Sequence, residues 1–343
     1  MKEEVSKINS ETGGFNSGHL WQLKKKLSGK KNNPMAAVMD QQGNLVTTKE
    51  EIKEVTKKHY AKVLENRTIK KDLEKHQQER EELCKLRIEA SKKQVTPMWS
   101  VSDVKIVVNQ LKRKSSRDPQ GFSNELIQGG GDDLFLAITK LMNNIKSQQI
   151  FPESLQSCNL TSLFKNKGSS LDLNNYRGIC RVTVFRNILD KLIFNDEYET
   201  LDKNLTESNV GGRKRRKIRD NIFVIGAIMN SIRNGNEDSC DVTIYDIEKC
   251  VDSLWVQECM NTLYENGLQN DKLSLIYEET KMAKIAIKTT AGKTGEIDIE
   301  NTIMQGTVFG SIICTSVIDK LAKNSLKMMT FCTSIKEKLK CPF

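Results

Sequence analysis

The sequence has little histidine, little proline and no long hydrophobic run. Among 343 residues there are three histidines and five prolines, and His19, His59 and His76 all lie in the first quarter. Beyond residue 76 no imidazole is available as a general base or metal ligand, so carboxylates, lysines or a bound metal would have to carry any chemistry there. The scarcity of proline and the absence of a biased tract argue against a wholly disordered chain.

The sequence also contains no pattern typical of a targeting signal or of a disulfide framework. The longest apolar run, residues 222–229, is far shorter than the roughly 18–20 residues that span a bilayer. Residues 1–6 contain no apolar segment, so we expect no secretory signal and no membrane partner. The nine cysteines include no pair with the close spacing of a zinc site, which predicts reduced thiols in an intracellular protein. A nuclear and a cytoplasmic location both remain open.

Positive charge is what the sequence has in excess. Lysine and arginine number 54 against 44 acidic residues, for a formal charge of +10. A basic arm at residues 24–31 is followed by two clusters, which consist of Lys112, Arg113 and Lys114, and of Arg213, Lys214, Arg215, Arg216, Lys217 and Arg219. Such clusters predict binding to a polyanion such as nucleic acid. For the second cluster, a nuclear-import signal or a solvated loop is an equally compatible interpretation.

The first hundred residues differ from the rest in their pattern of apolar and charged residues. Residues 47–94 follow a helical pattern, which begins at a capping-box sequence around Thr48. Their second half has few apolar residues, namely Leu73, Leu83, Leu86 and Ile88, among many charges. This composition favours a solvated helix pair over a core. We therefore divide the chain into a basic helical arm, residues 1–99, and a second unit, residues 100–343.

From residue 100 the pattern is that of an α/β protein. Helices are predicted at 134–148, 189–201, 252–266 and 307–321, and strands at 160–164 and 241–247. Residues 283–289 and 295–299 alternate with period two around a turn and predict a hairpin. In the last helix we expect a buried stripe of Val308, Ile312, Val317 and Leu321.

Three groups of polar residues are candidates for chemistry. Asp246 lies near the end of the predicted strand 241–247. Strand ends are where α/β proteins bind ligands and metals. A lone aspartate at such a position is, however, more often simply solvated. Lys165 and Lys167 flank a turn before Gly168, and Arg177 follows. These cations could meet phosphate oxygens, but taken singly they are typical surface charges.

Taken together and in order, several segments resemble the reverse transcriptases of non-LTR (LINE-type) retrotransposons. The segments are SSRDPQGFSNEL at 115–126, the loop at 165–168, NYRGI at 175–179, residues 209–221 beginning with NVGGR, YDIEKCVDSL at 245–254 and MQGTVFGS at 304–311. The resemblance covers residues 100–322, about two thirds of the chain. It implies an α/β, more closely α+β, fold made of the fingers and part of the palm of a right-hand polymerase.

The resemblance also assigns roles to individual residues. Asp246 and the backbone carbonyl of Ile247 would bind the two Mg²⁺ ions of nucleotidyl transfer, which makes Asp246 the catalytic residue. Lys165, Lys167 and Arg177 would contact the triphosphate of the incoming deoxynucleotide. Three further residues, Val251, Gln305 and Gly306, would lie near that nucleotide. The implied partners are an RNA template and a DNA primer.

The sequence departs from the family pattern in two ways. Val251 stands where the family has an aromatic residue that excludes ribose. No Asp-Asp motif follows Asp246, since the only such pair is Asp132-Asp133, and the thumb is absent. We therefore expect a chain truncated before its second set of metal ligands and catalytically inactive. A non-enzymatic RNA- or DNA-binding remnant and, less favoured, a polymerase completed by another chain are the alternatives.

Overall fold

The computed structural model describes residues 37–65, 74–235, 247, 250–251, 254–300 and 302–339, with side chains described as far as residue 324. Helices and strands are mixed along the chain. The helices are α1 (Lys49–Leu64), α2 (Glu74–Lys92), α3 (Val101–Asn109), α4 (Asn124–Gln128), α5 (Gly131–Gln148), α6 (Val184–Lys203), α7 (Ile218–Arg233), α8 (Val256–Glu265), α9 (Asp271–Lys281) and α10 (Val308–Leu339).

The strands form a small ribbon and a mixed sheet. The ribbon pairs β1 (Val38–Met39) with β2 (Leu45–Val46), and the sheet contains β3 (Ser157–Phe164), β4 (Tyr176–Val182), β5 (Met282–Thr289), β6 (Gly292–Lys293) and β7 (Ile297–Glu300). β3 is antiparallel to β4 and parallel to β5. β5 is antiparallel to both β6 and β7. The α+β expectation is thus confirmed at the level of a mixed fold with a mixed sheet.

Helix α1 covers one face of this sheet. Its first turn is capped by the Thr48 side chain, which accepts a hydrogen bond from the Glu51 backbone amide, as the sequence predicted. Ile52, Tyr60 and Leu64 are spaced on one side of the helix and are buried. Tyr60 and Leu64 pack with residues of β3, β4 and β5, and the Tyr60 hydroxyl donates a hydrogen bond to Ser162 Oγ at 3.0 Å.

Helix α2 corrects the expectation of a solvated helix pair. Cys84 and Ile88 are buried in the main core, although Leu86 between them is 69% exposed. Arg80 binds Glu258 of α8 in a bidentate pair at 2.6 and 2.9 Å, and Arg87 Nη1 lies 2.9 Å from Glu265 Oε1. Few apolar residues are enough to hold α2 against the core, because ion pairs with α8 attach the rest of its inner surface. These contacts cross the boundary drawn at residue 99.

The main core lies among the helices. It combines side chains from α2, α3, α5, α6, α8, α9 and α10, among them Val107, Met142, Leu189, Leu263, Ile276 and Ile312. A separate, smaller cluster lies between α1 and the sheet. One face of the sheet is therefore covered by α1. The opposite face is the candidate for a functional surface.

Several other predicted helices and strands are present in the structure, and some differ from the prediction. The strand at 160–164, the helices at 134–148 and 189–201 and the hairpin after 283 are confirmed, each with somewhat different ends. The helix predicted from 252 begins only at Val256. In α10 the buried stripe is shifted, because Phe309, Ile312 and Ile313 are buried whereas Leu321 is 54% exposed. The predicted strand at 241–247 lies outside the described residues except for Ile247, as does the basic arm at 24–31.

Candidate nucleic-acid interface

The loop between β3 and β4 presents the first group of candidate residues. The Lys165 amide donates to the Asn175 carbonyl at 2.8 Å, and its ammonium group donates to the Asn174 carbonyl at 2.9 Å. The chain turns at the tip through Asn166 and Gly168, which have φ values of 57° and 75°. Lys165 and Lys167 are both exposed beside this turn. The loop is therefore closed by its own hydrogen bonds and presents two ammonium groups to solvent.

The strand register assigns Arg177 to the sheet face opposite α1. Arg177 pairs with Leu163, and Arg181 pairs with Asn159. On the other side of β3, Thr161 pairs with Lys288 and Ser157 with Lys284 of β5. Paired residues share a face and faces alternate along a strand. The same face thus carries four cations, Arg177, Arg181, Lys284 and Lys288, and we call these residues the basic face.

One end of the basic face is open and the other is covered. Arg177 is exposed, as are Thr161 and Leu163 between the outer strands, whereas Asn159 and Ala286 are buried. Arg177 is opposite Leu163 and Lys288 is opposite Thr161. With strands about 4.8 Å apart and a rise of about 3.3 Å per residue, the two backbone positions are about 12 Å apart. The open end offers two cations with an uncharged strand between them.

Arg181 and Lys288 were missed by the sequence analysis. A signal for Arg181 was present, since residues 177 and 181 of a strand lie on the same face. For Lys288 there was none, because the parallel pairing of β3 with β5 joins segments more than 120 residues apart. Burial lowers the pKa of Arg181, and its Nη2 donates to Ser115 Oγ at 3.3 Å.

The first basic cluster lies next to this covered end. Ser115, which binds Arg181, directly follows the exposed residues Lys112, Arg113 and Lys114. The turn beyond them is fixed by Asp118, which is buried and accepts hydrogen bonds from the amides of Phe122 and Val184 at 2.8 and 2.9 Å. Since Val184 begins α6 directly after β4, Asp118 ties the cluster to the end of that strand.

Gln305 and Gly306 lie against β4, at the edge of the sheet that the described strands form. The Cys180 amide donates to the Gln305 carbonyl at 2.8 Å. Gly306 has a φ of 108°, and a β-carbon there would be 3.2 Å from Ile179 Cγ2. Two segments that the sequence analysis singled out, 175–179 and 304–311, are therefore in direct contact. Gln305 is half-buried and Gly306 is exposed.

The second basic cluster divides into a buried and an exposed part. Arg213 is 8% exposed, and its guanidinium donates to both Asp202 carboxylate oxygens at 2.8 and 3.0 Å and to the carbonyls of Thr206 and Asn209. The expectation that Arg213 faces a ligand with its neighbours is thus corrected, because its donors bind within the protein. It fixes the loop that presents them.

The remaining cations of this cluster are exposed. Lys214 Nζ lies over the Tyr198 and Phe194 rings, at 4.1 and 5.0 Å from their centroids. The others point to solvent and are Arg215, Arg216, Lys217 and Arg219. They lead into α7, whose described side chains include no buried residue.

The residues expected at the metal centre are described only in part. Asp246 lies outside the described residues, and Ile247 is 45% exposed. Val251 is half-buried and packs against the main core. Within the described ranges, no group of three histidine, cysteine, aspartate or glutamate side chains could hold a metal ion. The magnesium assignment remains a prediction that depends on Asp246.

Asp132 and Asp133, the only Asp-Asp pair in the sequence, occupy the first turn of α5. Carboxylates there are stabilised by the positive end of the helix. Asp132 also lies 2.7 Å from Lys105 Nζ. Both carboxylates are exposed, and they lie on a helix that is remote in sequence from Asp246.

The chain matches no protein-family model. Among the described residues, no helix is long and apolar enough to cross a membrane.

Proposed function

We propose that this chain is a reverse-transcriptase-like protein of non-LTR retrotransposon type that binds nucleic acid through the basic face. The backbone contact between Cys180 and Gln305 carries the proposal. It joins the strand of Arg177 to the Gln305–Gly306 turn, so two segments similar to nucleotide-contacting motifs of that family meet at one edge. An RNA template paired with a DNA primer is the proposed ligand.

The chemistry of the basic face supports this proposal. Arg177 can bind two phosphate oxygens with its planar guanidinium group, whereas lysines act as point charges. Lys165 and Lys167 extend the positive surface along the hairpin loop, and Lys288 extends it across the sheet. Phosphates bound by such cations release condensed counterions, which supplies affinity that depends strongly on salt.

Fluorescence anisotropy with a labelled RNA, an RNA–DNA hybrid and single-stranded DNA at several KCl concentrations tests the proposal. We expect affinity to fall with salt on a log–log plot, by a slope of about 0.7 per phosphate contact for a single strand. Arg177→Ala should weaken binding about tenfold, the equivalent of one charge-assisted hydrogen bond. It should also reduce the salt slope.

Lys58→Ala is the matched control, because it also removes one positive charge. Lys58 lies on α1, which covers the opposite face of the sheet, and its side chain is 69% exposed. We expect this variant to bind as the wild type does. Equal losses in Arg177→Ala and Lys58→Ala would show that only net charge matters and would contradict a defined interface.

We further propose that these 343 residues do not add nucleotides by themselves. The proposal rests on the absence of an Asp-Asp motif between Asp246 and Phe343 and on the position of Asp132 and Asp133 at the exposed start of α5. Two metal ions about 4 Å apart need carboxylates from more than one site to offset their repulsion. Mg²⁺-dependent extension of a DNA primer on an RNA template is the assay, with Asp246→Asn as the control.

No incorporation by either protein is the expected result. Incorporation by the wild type that Asp246→Asn abolishes would show that the second set of ligands is supplied from elsewhere. That outcome would overturn the proposal of inactivity but would leave the binding proposal standing.

A further inference from the structure

Cys250 and Cys314 bring two thiols together from distant parts of the chain. Their Sγ atoms are 3.2 Å apart, and 64 positions separate them in sequence. Cys314 lies in α10, whereas Cys250 lies shortly before α8. A disulfide has an S–S distance of about 2.05 Å, so the sulfurs need to approach by only about 1 Å.

This pair differs from the other cysteines that the structure describes. Cys84, Cys158, Cys180 and Cys259 are buried, whereas Cys250 and Cys314 are half-buried. Buried thiols are shielded from solvent reagents. The reactive candidates are therefore the two that are both adjacent and accessible.

We propose that Cys250 and Cys314 form a reversible disulfide by exchange with a low-molecular-weight disulfide such as oxidised glutathione. The Cys250 thiolate attacks one glutathione sulfur, which forms a mixed disulfide and releases one glutathione thiolate. The Cys314 thiolate then attacks Cys250 Sγ and releases the second. The two protons lost by the cysteines are taken up by the two glutathione thiolates. Two electrons pass from the protein to glutathione.

The order of attack follows from the environment of Cys314 in α10. Burial, together with the neighbouring Cys250, raises the pKa of Cys314 to about 12, so little of it is thiolate at neutral pH. Its attack is nevertheless intramolecular at a distance already close to contact, which greatly increases its effective concentration. Cys250 is accordingly the entry point and Cys314 the resolving thiol.

The disulfide would join two segments of functional interest. Cys250 follows Asp246 and Ile247 by a few residues, and α10 begins two residues after Gly306. Oxidation would fix the chain near residue 250 to the helix that follows the Gln305–Gly306 turn. It would also close a long loop in the unfolded state, which stabilises the folded protein. The inference concerns the thiols alone and does not depend on the proposed function.

Peptide mapping of the wild-type protein tests the inference without any variant. The protein is incubated with oxidised glutathione, remaining thiols are alkylated, and the non-reduced tryptic digest is analysed by tandem mass spectrometry. We expect peptide 250–272 to be linked to peptide 294–320, with fragment ions that assign the bond to Cys250 rather than Cys259. Excess reduced glutathione should remove the link, and the oxidised protein should melt at a higher temperature.

Three variants sharpen the assignment. Cys250→Ser and Cys314→Ser should each abolish the link, whereas Cys259→Ala, in the same peptide as Cys250, should retain it. A bond between Cys314 and Cys259 would overturn the inference. So would full alkylation of Cys250 and Cys314 after oxidation, or stable glutathione adducts on either thiol without an intramolecular bond.

Discussion

Gly306 lies so close to Cys180 that a β-carbon built on it would be 2.8 Å from the Cys180 carbonyl oxygen. The approach brings the Gln305–Gly306 turn onto the edge of β4 and is made possible by a backbone conformation, φ 108°, that favours glycine. The neighbouring hydrogen bond from the Cys180 amide to Gln305 completes the contact. The arrangement of the proposed interface thus depends on one residue without a side chain.

Gly306→Ala should therefore destabilise the protein by about 3 kcal/mol, because a strained φ and a clash with backbone add together. Gly43→Ala is the control, since Gly43 has a φ of 85° but a β-carbon added there would meet no atom within 4 Å. That variant should lose only about 1 kcal/mol. Urea unfolding of both variants checks the difference, and equal losses would mean that the contact with Cys180 is unimportant.

Substitution of Arg213 should destabilise the protein much more than substitution of Arg216. Arg213→Ala removes the charged partner of the Asp202 carboxylate and the donor to three backbone carbonyls, so we expect a loss of about 3 kcal/mol in the free energy of unfolding. Arg216→Ala removes an exposed cation and should change stability by less than about 0.5 kcal/mol. Urea unfolding of both proteins checks this difference. A stable Arg213→Ala protein would contradict the structural role.

Two apolar residues of α2 test whether that helix belongs to the core. Ile88 is 3% exposed and Leu86 is 69% exposed. Ile88→Ala should lower the free energy of unfolding by about 3 kcal/mol through lost burial and a cavity. Leu86→Ala should change it by less than about 0.5 kcal/mol. Similar small effects from both would instead favour the solvated helix pair that composition alone predicted.

A buried carboxyl pair gives the protein a defined pH response. Asp190 and Glu279 are 1% and 2% exposed, and each affects the ionisation of the other. Burial raises the pKa of both, and the nearby Asp190 raises the pKa of Glu279 further. Arg186 Nε lies 3.8 Å from Glu279 Oε2, so one negative charge has a partner and the second does not. The pair is therefore expected to hold a proton at neutral pH.

The raised pKa values fix the sign of this response. The unfolded state loses these protons at ordinary carboxyl pKa values, whereas the folded state retains them, so the stabilisation is present at low pH and is lost as pH rises. Compared with Glu279→Gln, which stays neutral, the wild type should lose stability as the pH rises above the ordinary range of carboxyl pKa values. Urea unfolding at a series of pH values checks this, and parallel pH profiles would contradict a shared proton.

Local patterns predicted local structure well and long-range contacts poorly. The capping sequence at Thr48 predicts the start of α1, and the alternation of residues 283–289 and 295–299 predicts β5 and β7. Both predictions succeed because residues within the same segment determine the local backbone conformation. The docking of α2 depends on Arg80 and Arg87 meeting glutamates more than 170 positions away, and no local pattern encodes such a pair. For the same reason Arg213 could not be distinguished from its exposed neighbours, since its partner Asp202 lies on another element.

The central claim is that the sheet face opposite α1 contacts nucleic acid. Photo-crosslinking of an RNA that contains 4-thiouridine, followed by peptide mass spectrometry, tests it most directly. We predict crosslinks within residues 157–182 and 282–293, which form β3, β4, β5 and their loops, and a loss of these crosslinks in Arg177→Ala. Crosslinks confined to α1 and α2, with none on the basic face, would contradict the account.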